Sequence, residues 1–360
     1  MPIKKMNDGT YKIDISLGYN PLTKKRERTT RRGIETLKAA KKIERDLLNK
    51  NDLKGNIIGV KAKDVIKEYL EHSIKNDKAS SQLKKENVFK NYITPFFEDI
   101  KINDMTIVHA KKFKEDLICR YVSNNYKRYI FTMMSSFLNY AVKYNYLTKN
   151  PLKQIDNFKK EKVTMKYWTL SEFNRFIAKV DEIEFKTIFW LLYYTGMRKG
   201  EVLALTLKDI NFINKTIDIN KTCSYVTGKG YLITSPKTIE SKRLIYINKK
   251  TIDILKEYIN YISNQYKFNN DTPLFSINGV RIPKETIRRK FKRYQRQAEV
   301  IDIRLHDLRH SHVALLIYIG QDALSIKKRL GHSDIGITLN TYGHLYDDAQ
   351  KKLASKLDEV

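Results

Sequence analysis

Six residues in the second half of the chain carry side chains suited to attacking a phosphodiester. Two are arginines, two are histidines, and the others are a lysine and a tyrosine: Arg198, Lys237, His306, Arg309, His332 and Tyr342. A phosphodiester under attack becomes a pentacoordinate species, and donors placed beforehand must meet its negative charge. Guanidinium groups suit that task because they stay charged and present a planar fork to two oxygens. The set therefore predicts phosphoryl transfer.

The phenol of Tyr342 is the predicted nucleophile. An ordinary phenol has a pKa of about 10, so at neutral pH it needs a nearby base or a cationic field. His306 is the candidate base. It precedes Arg309 by three residues, and on a helix such a pair shares one face and can meet the same phosphate. His310, His312 and His344 are expected to pack or to form local hydrogen bonds, with contact to DNA or to the phosphate as the alternative.

The sequence around these residues resembles that of the tyrosine recombinases, the phage integrase family. Five motifs occur in the family's order, and no catalytic position of the family is missing: 194–205 around Arg198, 235–238 around Lys237, 306–310, 331–332, and 338–344 around Tyr342. The resemblance is specific for the catalytic third to half of the chain, whereas the part before it matches mainly in layout. It predicts the integrase of a phage or another mobile element.

The resemblance implies the reaction and the remaining roles. Tyr342 would form a 3′-phosphotyrosine and release a 5′-hydroxyl, Lys237 on a mobile turn would protonate the departing oxygen, and His332 would donate to a non-bridging oxygen. A turn lysine without a function is the alternative for Lys237. Because the phosphotyrosine conserves the free energy of the phosphodiester, a second 5′-hydroxyl can reverse the step. The reaction is therefore expected to need no cofactor, ATP or metal.

The implied enzyme is a site-specific DNA recombinase that integrates and excises the element. It exchanges strands through a Holliday junction in a synaptic homotetramer. Its expected partners are double-stranded DNA at core and arm-type sites, an excisionase and a host DNA-bending protein. Lys and Arg number 69 against 40 Asp and Glu, a net charge of +29. Such an excess favours a polyanionic partner, because each cation that neutralises a phosphate releases condensed counterions.

Cysteine usage and apolar runs predict a cytoplasmic protein associated with the nucleoid. Two distant cysteines, Cys119 and Cys223, cannot form a disulfide framework. The basic start of the chain lacks the apolar run of a signal peptide. The longest apolar stretches, 188–194 and 313–319, fall far short of the ~20 residues that span a bilayer. No membrane partner is expected.

Three domains are expected to position the six residues, and the first is residues 1–54. Its pattern predicts a three-stranded sheet followed by an amphipathic helix with Leu37, Ala40, Ile43 and Leu47 on one side. It carries 15 basic and 7 acidic residues. We expect it to bind arm-type DNA, with a merely solvated basic surface as the alternative.

Residues 60–152 predict a helical core-binding bundle of the SAM-like type with about four helices. Apolar residues recur at intervals of three and four, the spacing of a buried helix face. They include Val65, Ile66, Tyr69, Leu70, Phe89, Tyr92, Ile93, Phe96, Phe113, Leu117, Ile118, Ile130, Met133, Met134, Phe137, Leu138, Ala141 and Val142. Residues 152–166 are polar and rich in lysine, which predicts a linker.

Residues 165–350 predict a mixed α/β catalytic domain, so the fold class is multidomain and mainly α with α+β parts. Thr169 or Ser171 is expected to cap its first helix, and a strongly apolar helix is expected to end near Gly196. Short strands are predicted at 216–219, 231–234 and 244–247.

Two segments of this half are candidates for macromolecular contacts. Residues 281–296 carry eight Lys or Arg against Glu285 alone, with three core-facing residues, which favours a DNA-tracking helix over a merely solvated face. An apolar stripe leads into the C-terminal tail, 351–360. It is expected to dock either in a neighbouring protomer or on its own domain. The stripe consists of Leu345, Ala349, Leu353 and Leu357.

Three rival functions fit part of the sequence. A zinc hydrolase would use His306 and His310, which lie four residues apart, but it leaves Tyr342 and the cations unexplained. A relaxing topoisomerase shares the chemistry, but a small N-terminal module and a helical bundle are more typical of an integrase. A catalytically silent DNA-binding protein of the same architecture fits the charge equally well. The intact set of catalytic residue types weighs against it.

Overall fold

The computed structural model describes most of the chain in two compact units, Met1–Lys162 and Val163–Val360. The described residues are 3–19, 26–52, 59–76, 79–161, 165–226, 228, 230–236, 238–265, 267, 269–277, 279–331, 333–343 and 358. Lys237, His332, His344 and the apolar stripe of the C-terminal segment lie outside them. The boundaries expected for three domains stay a prediction.

The first unit begins with three antiparallel strands in the order β1-β2-β3 and one helix. These elements are β1 (Ile3–Lys5), β2 (Tyr11–Tyr19), β3 (Arg26–Ile34) and α1 (Leu37–Asp52). Ile13, Ile15 and Ala40 form the centre of a small apolar core between sheet and helix. The prediction for Leu37 was wrong, because this side chain is exposed. Leu37 is the first residue of α1, and the stripe that packs on the sheet begins one turn later.

Helices with an aromatic core make up the rest of the first unit. They are α2 (Ala62–Asn76), α3 (Ala79–Val88), α4 (Thr94–Phe97), α5 (Ile107–Cys119) and α6 (Asn124–Lys143), with one π-helical turn at Phe89–Ile93. The rings of Tyr69, Phe89 and Phe137 pack against one another at its centre. Ile118 was wrongly predicted to be buried. Leu117 holds the buried position, and a helix turns by about 100° per residue, so its neighbour points away.

Much of the predicted linker packs on the helical bundle instead. A single 3₁₀ turn occupies Pro151–Gln154, and the chain then runs beside α6. The Arg128 guanidinium donates to the Phe158 carbonyl at 2.7 Å, and the Phe158 ring meets Phe131 edge to face. Sequence periodicity could not predict this packing. Side chains of α6 bind the backbone of an extended segment, and such a segment has no regular apolar spacing.

The second unit is mixed α and β, as predicted, with its strands in small antiparallel sheets. Strands β4, β5 and β8 form one sheet, β6 and β7 a hairpin, and β9 and β10 a short pair. Its elements in chain order are α7 (Leu170–Ala178), α8 (Ile183–Thr195), α9 (Lys199–Val202), β4 (Ile210–Asn211), β5 (Thr216–Ile219), β6 (Thr222–Val226), β7 (Gly230–Thr234), β8 (Arg243–Tyr246), α10 (Lys249–Gln265), β9 (Ser276–Ile277), β10 (Val280–Arg281), α11 (Lys284–Gln297), α12 (Asp307–Tyr318), α13 (Ala323–Leu330) and α14 (Ile335–Tyr342).

The ends of the first two helices of this unit follow from their sequence. Thr169 caps α7 and exchanges hydrogen bonds with Glu172, a capping box that confirms one of the two predicted caps. Helix α8 is apolar on nearly every side because it lies in the core. It ends at Gly196, whose left-handed φ of +65° favours glycine.

The start of the second unit is bonded to α12. The backbone N–H of Trp168 donates to the Ser311 hydroxyl at 2.9 Å, and its indole N–H donates to the Ile301 carbonyl at 2.9 Å. Ser311 in turn donates to the carbonyl of Asp307, inside the same helix. None of the helices in the described ranges is long and apolar enough to cross a membrane.

Candidate active site

Arg309 is buried at the start of α12 and is held by two helix ends. Its guanidinium donates to the carbonyl of Gly196 at 2.7 Å and to that of Leu330 at 2.9 Å. These carbonyls terminate α8 and α13, where helices leave acceptors unpaired and carry partial negative charge. Burial lowers the pKa of Arg309, and the nearby charge of Arg198 lowers it further. A desolvated guanidinium that keeps its charge is a strong partner for a phosphate.

Arg198 follows the turn after α8 and is more open. It is the N-cap residue of α9, and its guanidinium donates to the Glu201 carboxylate at 2.8 Å. Its side chain is 39% exposed, whereas that of Glu201 is 4% exposed. The glutamate therefore anchors an arginine that keeps part of its guanidinium free for another anion.

Glu201 is shared with a second arginine that the sequence did not single out. The Arg243 guanidinium donates to this carboxylate at 2.9 and 3.2 Å, and its Nε donates to the Arg329 carbonyl at 2.8 Å. Burial alone would raise the pKa of Glu201, but the hydrogen bonds and charges of Arg243 and Arg198 lower it. The carboxylate stays ionised, and Arg243 links it to the end of α13.

Tyr342 is the last residue of α14, and its hydroxyl contacts a histidine. The distance from the Tyr342 Oη to the His310 Nδ1 is 2.5 Å. Only 2% of the tyrosine is exposed, and it packs in a cluster with Val313, Ile326 and Leu330. Burial raises the pKa of Tyr342 to about 12, although the charge of Arg309 opposes this effect. At neutral pH the phenol is therefore protonated.

Two imidazoles stand side by side at the first turn of α12. The rings of His306 and His310 lie 5.6 Å apart between centroids and nearly perpendicular. Desolvation and the charge of Arg309 lower the pKa of His306, although the ring keeps a solvent-exposed edge. Burial and the neighbouring His306 lower the pKa of His310 to about 4. Both rings are neutral at neutral pH. The charges of Arg309 and Arg198 act on the His306 ring.

The structure brings four of the six predicted residues together from separate elements. The charges of Arg198 and Arg309 act on each other and on His306, and Arg309 acts on the Tyr342 phenol. Lys237 and His332 fall outside the described residues. Within the described ranges, no group of three His, Cys, Asp or Glu could hold a metal ion.

Sequence reasoning missed the partner of the tyrosine. His310 had a signal, its position four residues after His306, but we expected it to pack or to bond locally. His312 does behave in that way, because it is buried and accepts from the Arg329 Nε at 3.0 Å. No motif or spacing in the sequence around Arg243 indicated that it binds Glu201.

Comparisons with known proteins agree with this architecture. The Phage integrase family profile matches residues 166–349, and the profile of its N-terminal SAM-like domain matches residues 63–118. The ICEBs1 integrase of Bacillus subtilis (strain 168) is 33% identical over 372 residues, covering 100% of both chains. The solved Tn1549 transposon integrase with transposon right end DNA is 21% identical, with a TM-score of 0.70 over 82% of this chain and 99% of that one. A lambda integrase tetramer bound to a Holliday junction is 16% identical, with a TM-score of 0.57 over 92% of this chain and 96% of that one.

Proposed function

The chain belongs to the phage integrase family, and on that premise we propose that it is a tyrosine recombinase that cleaves and rejoins DNA to move a mobile element. The observation that carries the proposal is the tyrosine at the end of α14, held within the field of Arg309 and bonded to His310. A catalytically silent DNA-binding protein would have no use for a buried arginine whose partners, among the described residues, are two backbone carbonyls.

We assign roles to the six predicted residues from chemistry and position. Tyr342 attacks phosphorus, a phosphotyrosine forms at the 3′ end, and the bond to the 5′-oxygen breaks. Arg198, His306, Arg309 and His332 meet the phosphate oxygens, where charge develops in the transition state. For the leaving oxygen we propose Lys237 as the acid, so that a free 5′-hydroxyl departs. The chemistry of these groups requires no cofactor.

Helix α11 supports DNA binding by the catalytic unit. Its apolar residues Ile287, Phe291 and Tyr294 are fully buried, whereas four of its arginines are exposed: Arg288, Arg289, Arg293 and Arg296. A helix divided in this way presents a row of cations to solvent, and phosphates are the partner that such a row favours. The net charge of the whole chain, +29, agrees with a polyanionic partner.

The assembly that we propose has more parts than one chain. By analogy with the lambda integrase tetramer solved on a Holliday junction, four copies would act on two DNA duplexes. We propose that residues 1–54 bind arm-type sites, 60–152 bind core sites, 165–350 cleave, and 351–360 dock on a neighbouring or the same protomer. An excisionase and a host DNA-bending protein would set direction, and the reaction would take place in the cytoplasm on the nucleoid.

Replacement of the nucleophile tests the proposal. On a nicked suicide substrate whose short strand diffuses away after cleavage, the wild type should accumulate a covalent protein–DNA adduct. Tyr342→Phe should bind the same DNA with unchanged affinity and form no adduct, because the phenyl ring retains the packing and lacks the oxygen. Tyr318→Phe is the matched control, since that tyrosine is 78% exposed. A persistent adduct with Tyr342→Phe would contradict the assignment of Tyr342 as the nucleophile. The absence of an adduct with the wild type would favour a catalytically silent DNA-binding protein.

Deletion of residues 1–54 tests the arm-binding role. The sheet and α1 have a small core of their own, so the remainder of the chain keeps its packing. Recombination between full-length sites should fall at least tenfold, by the loss of a second DNA contact worth about 1.4 kcal/mol or more. Adduct formation on an isolated core site should change less than threefold. Equal losses on both substrates would contradict the role.

A further inference from the structure

We propose that His310 is a catalytic residue, the group that takes the phenol proton from Tyr342 during cleavage and returns it during joining. The inference rests on the proposed function and adds the base that this function needs. The sequence pattern favoured His306 for that role. In the structure, His310 is the histidine bonded to the tyrosine hydroxyl.

Geometry supports proton transfer between these two groups. The Tyr342 Oη lies 2.5 Å from the His310 Nδ1, within the range required of a general base and its substrate proton. The two side chains come from different helices, α14 and α12, so the contact is not a by-product of sequence spacing. Tyr342 is buried and His310 largely so, which excludes bulk water as the competing acceptor.

The surroundings of His310 favour a free Nδ1 that can accept. Its Nε2 lies 3.9 Å from the Asp307 Oδ1, too far for a hydrogen bond but close enough for the carboxylate charge to stabilise the imidazolium after transfer. Asp307 is itself fixed by the Arg304 guanidinium at 2.8 Å. The other charged or titratable groups that act on His310 are His306, Arg304, Arg309 and Tyr342. The lowered pKa of His310 means that the ring is neutral, but weakly basic, before DNA binds. The negative charges of Asp307 and of the bound phosphate would strengthen it as an acceptor.

His306, the N-cap residue of α12, and His310, inside the helix, then have different roles. His306 lies in the field of Arg198 and Arg309, so we assign it to a contact with the phosphate oxygens. His310 accepts the proton of the Tyr342 phenol. As the bond from Tyr342 Oη to phosphorus forms and the bond to the 5′-oxygen breaks, the phenol proton moves to His310 Nδ1, and the proposed acid Lys237 protonates the leaving oxygen. In joining, Lys237 takes the proton of the attacking 5′-hydroxyl as the new bond to phosphorus forms. The bond from phosphorus to Tyr342 Oη breaks, and His310 returns the proton to the departing phenolate.

The test uses His310→Asn, because the asparagine oxygen can accept the same hydrogen bond but cannot carry the proton away. The full-length variant should bind core-site DNA like the wild type and form adducts on the nicked suicide substrate about 10²-fold or more slowly. A group that only positions Tyr342 would be replaced well by asparagine. An adduct rate within threefold of the wild type would therefore overturn the proposal.

A second measurement separates proton transfer from a damaged site. DNA ending in a 3′-p-nitrophenyl phosphate mimics the phosphotyrosine, and nitrophenolate leaves without an acid. In the Tyr342→Phe background, adding His310→Asn should leave the rate of joining to this substrate unchanged within threefold. Adding His306→Asn should lower it at least tenfold, because the phosphate contact is lost. Equal slowing by both substitutions would overturn the assignment to His310, whereas a wild type that forms no adduct would instead overturn the proposed function.

Discussion

The candidate site has two sides that are held in different ways. The arginine side consists of Arg198, Glu201, Arg243 and Arg309, and the tyrosine side consists of His310 and Tyr342. On the arginine side, a buried carboxylate binds two guanidinium groups and two helix ends bind a third. On the tyrosine side, the hydroxyl has one hydrogen bond to a side chain of the part of the chain that the structure describes.

The difference fits the tasks of the two sides. Donors that stabilise a transition state act best when they are fixed before the substrate arrives, since no reorganisation is then needed during the reaction. The proposed nucleophile must also reach phosphorus. Because Tyr342 is buried, DNA binding would have to open this side of the site while the contact with His310 is kept. A helix of eight residues whose tyrosine has one side-chain hydrogen bond among the described residues is held less firmly than the arginine side.

Lysine substitutions at the two arginines test the arginine side most severely. Arg309→Lys should lower the rate of adduct formation by about 10³-fold, and it should lower the free energy of unfolding by about 2 kcal/mol, because one of two buried carbonyls loses its donor. Arg198→Lys should lower the rate by about 10²-fold and the free energy of unfolding by less than ~1 kcal/mol, since its side chain is partly exposed.

Suicide-substrate kinetics and urea unfolding measure these two effects. Both tryptophans, Trp168 and Trp190, lie in the second unit, so their fluorescence follows the unfolding of that unit. Equal losses of unfolding free energy for Arg309→Lys and Arg198→Lys would show that the protein holds the two arginines equally firmly.

Alanine substitutions at two glycines test how firmly the backbone is held on each side of the site. Gly196 supplies a carbonyl to Arg309 and has a φ of +65°, and a Cβ there would lie 2.5 Å from the His312 ring. Gly196→Ala should therefore cost about 3 kcal/mol of unfolding free energy. Gly343, at the end of α14, has a φ of −52° and nothing described within 4 Å of an added Cβ. Gly343→Ala should change stability by less than ~0.5 kcal/mol, and a large loss there would show that the tyrosine side is as tightly fixed as the other.

Acid should act on the tyrosine side first. The pKa of His310 is lowered to about 4, whereas an unfolded histidine titrates at about 6.5. Between these values the unfolded chain binds more protons, so the free energy of unfolding falls as the pH falls from 6.5 to 4. His310 contributes a slope of up to about 1.4 kcal/mol per pH unit. Glu201 has a lowered pKa and stays ionised through most of this range.

Urea unfolding at pH 7, 5.5 and 4.5 measures the slope through tryptophan fluorescence. His310→Asn should make it shallower, while the buried His312, whose pKa is also lowered, should account for part of what remains. A slope that His310→Asn leaves unchanged would mean that this ring does not need to be neutral in the folded protein.

Sequence reasoning succeeded where chemistry or periodicity is local. The capping box at Thr169, the end of α8 at Gly196 and the strand at Thr216–Ile219 can be predicted from neighbouring residues. So can the three buried residues of α11, because they recur with the helical period. The six-residue set could be assembled because its members lie in five short motifs, with His306 and Arg309 sharing one.

The rest depends on contacts between distant parts of the chain. Arg243 binds Glu201 and Arg329, which lie 42 and 86 residues away, so no spacing pattern could reveal its role. His310 lies 32 residues from the tyrosine that it contacts, and its sequence position fits packing equally well. Strands β4, β9 and β10 have two residues each, too few for an alternating pattern to appear.

The bond between Trp168 and Ser311 gives the catalytic unit a mechanical point of attachment. Ser311 stands one residue after His310 and two after Arg309, and it receives the backbone N–H of Trp168 at 2.9 Å. A pull along the segment that precedes Trp168 is therefore transmitted straight to α12, the helix that carries His306, Arg309 and His310. A displacement of Trp168 would load the helix that carries Arg309 and His310, the residues proposed to bind the phosphate and to take the proton of the nucleophile.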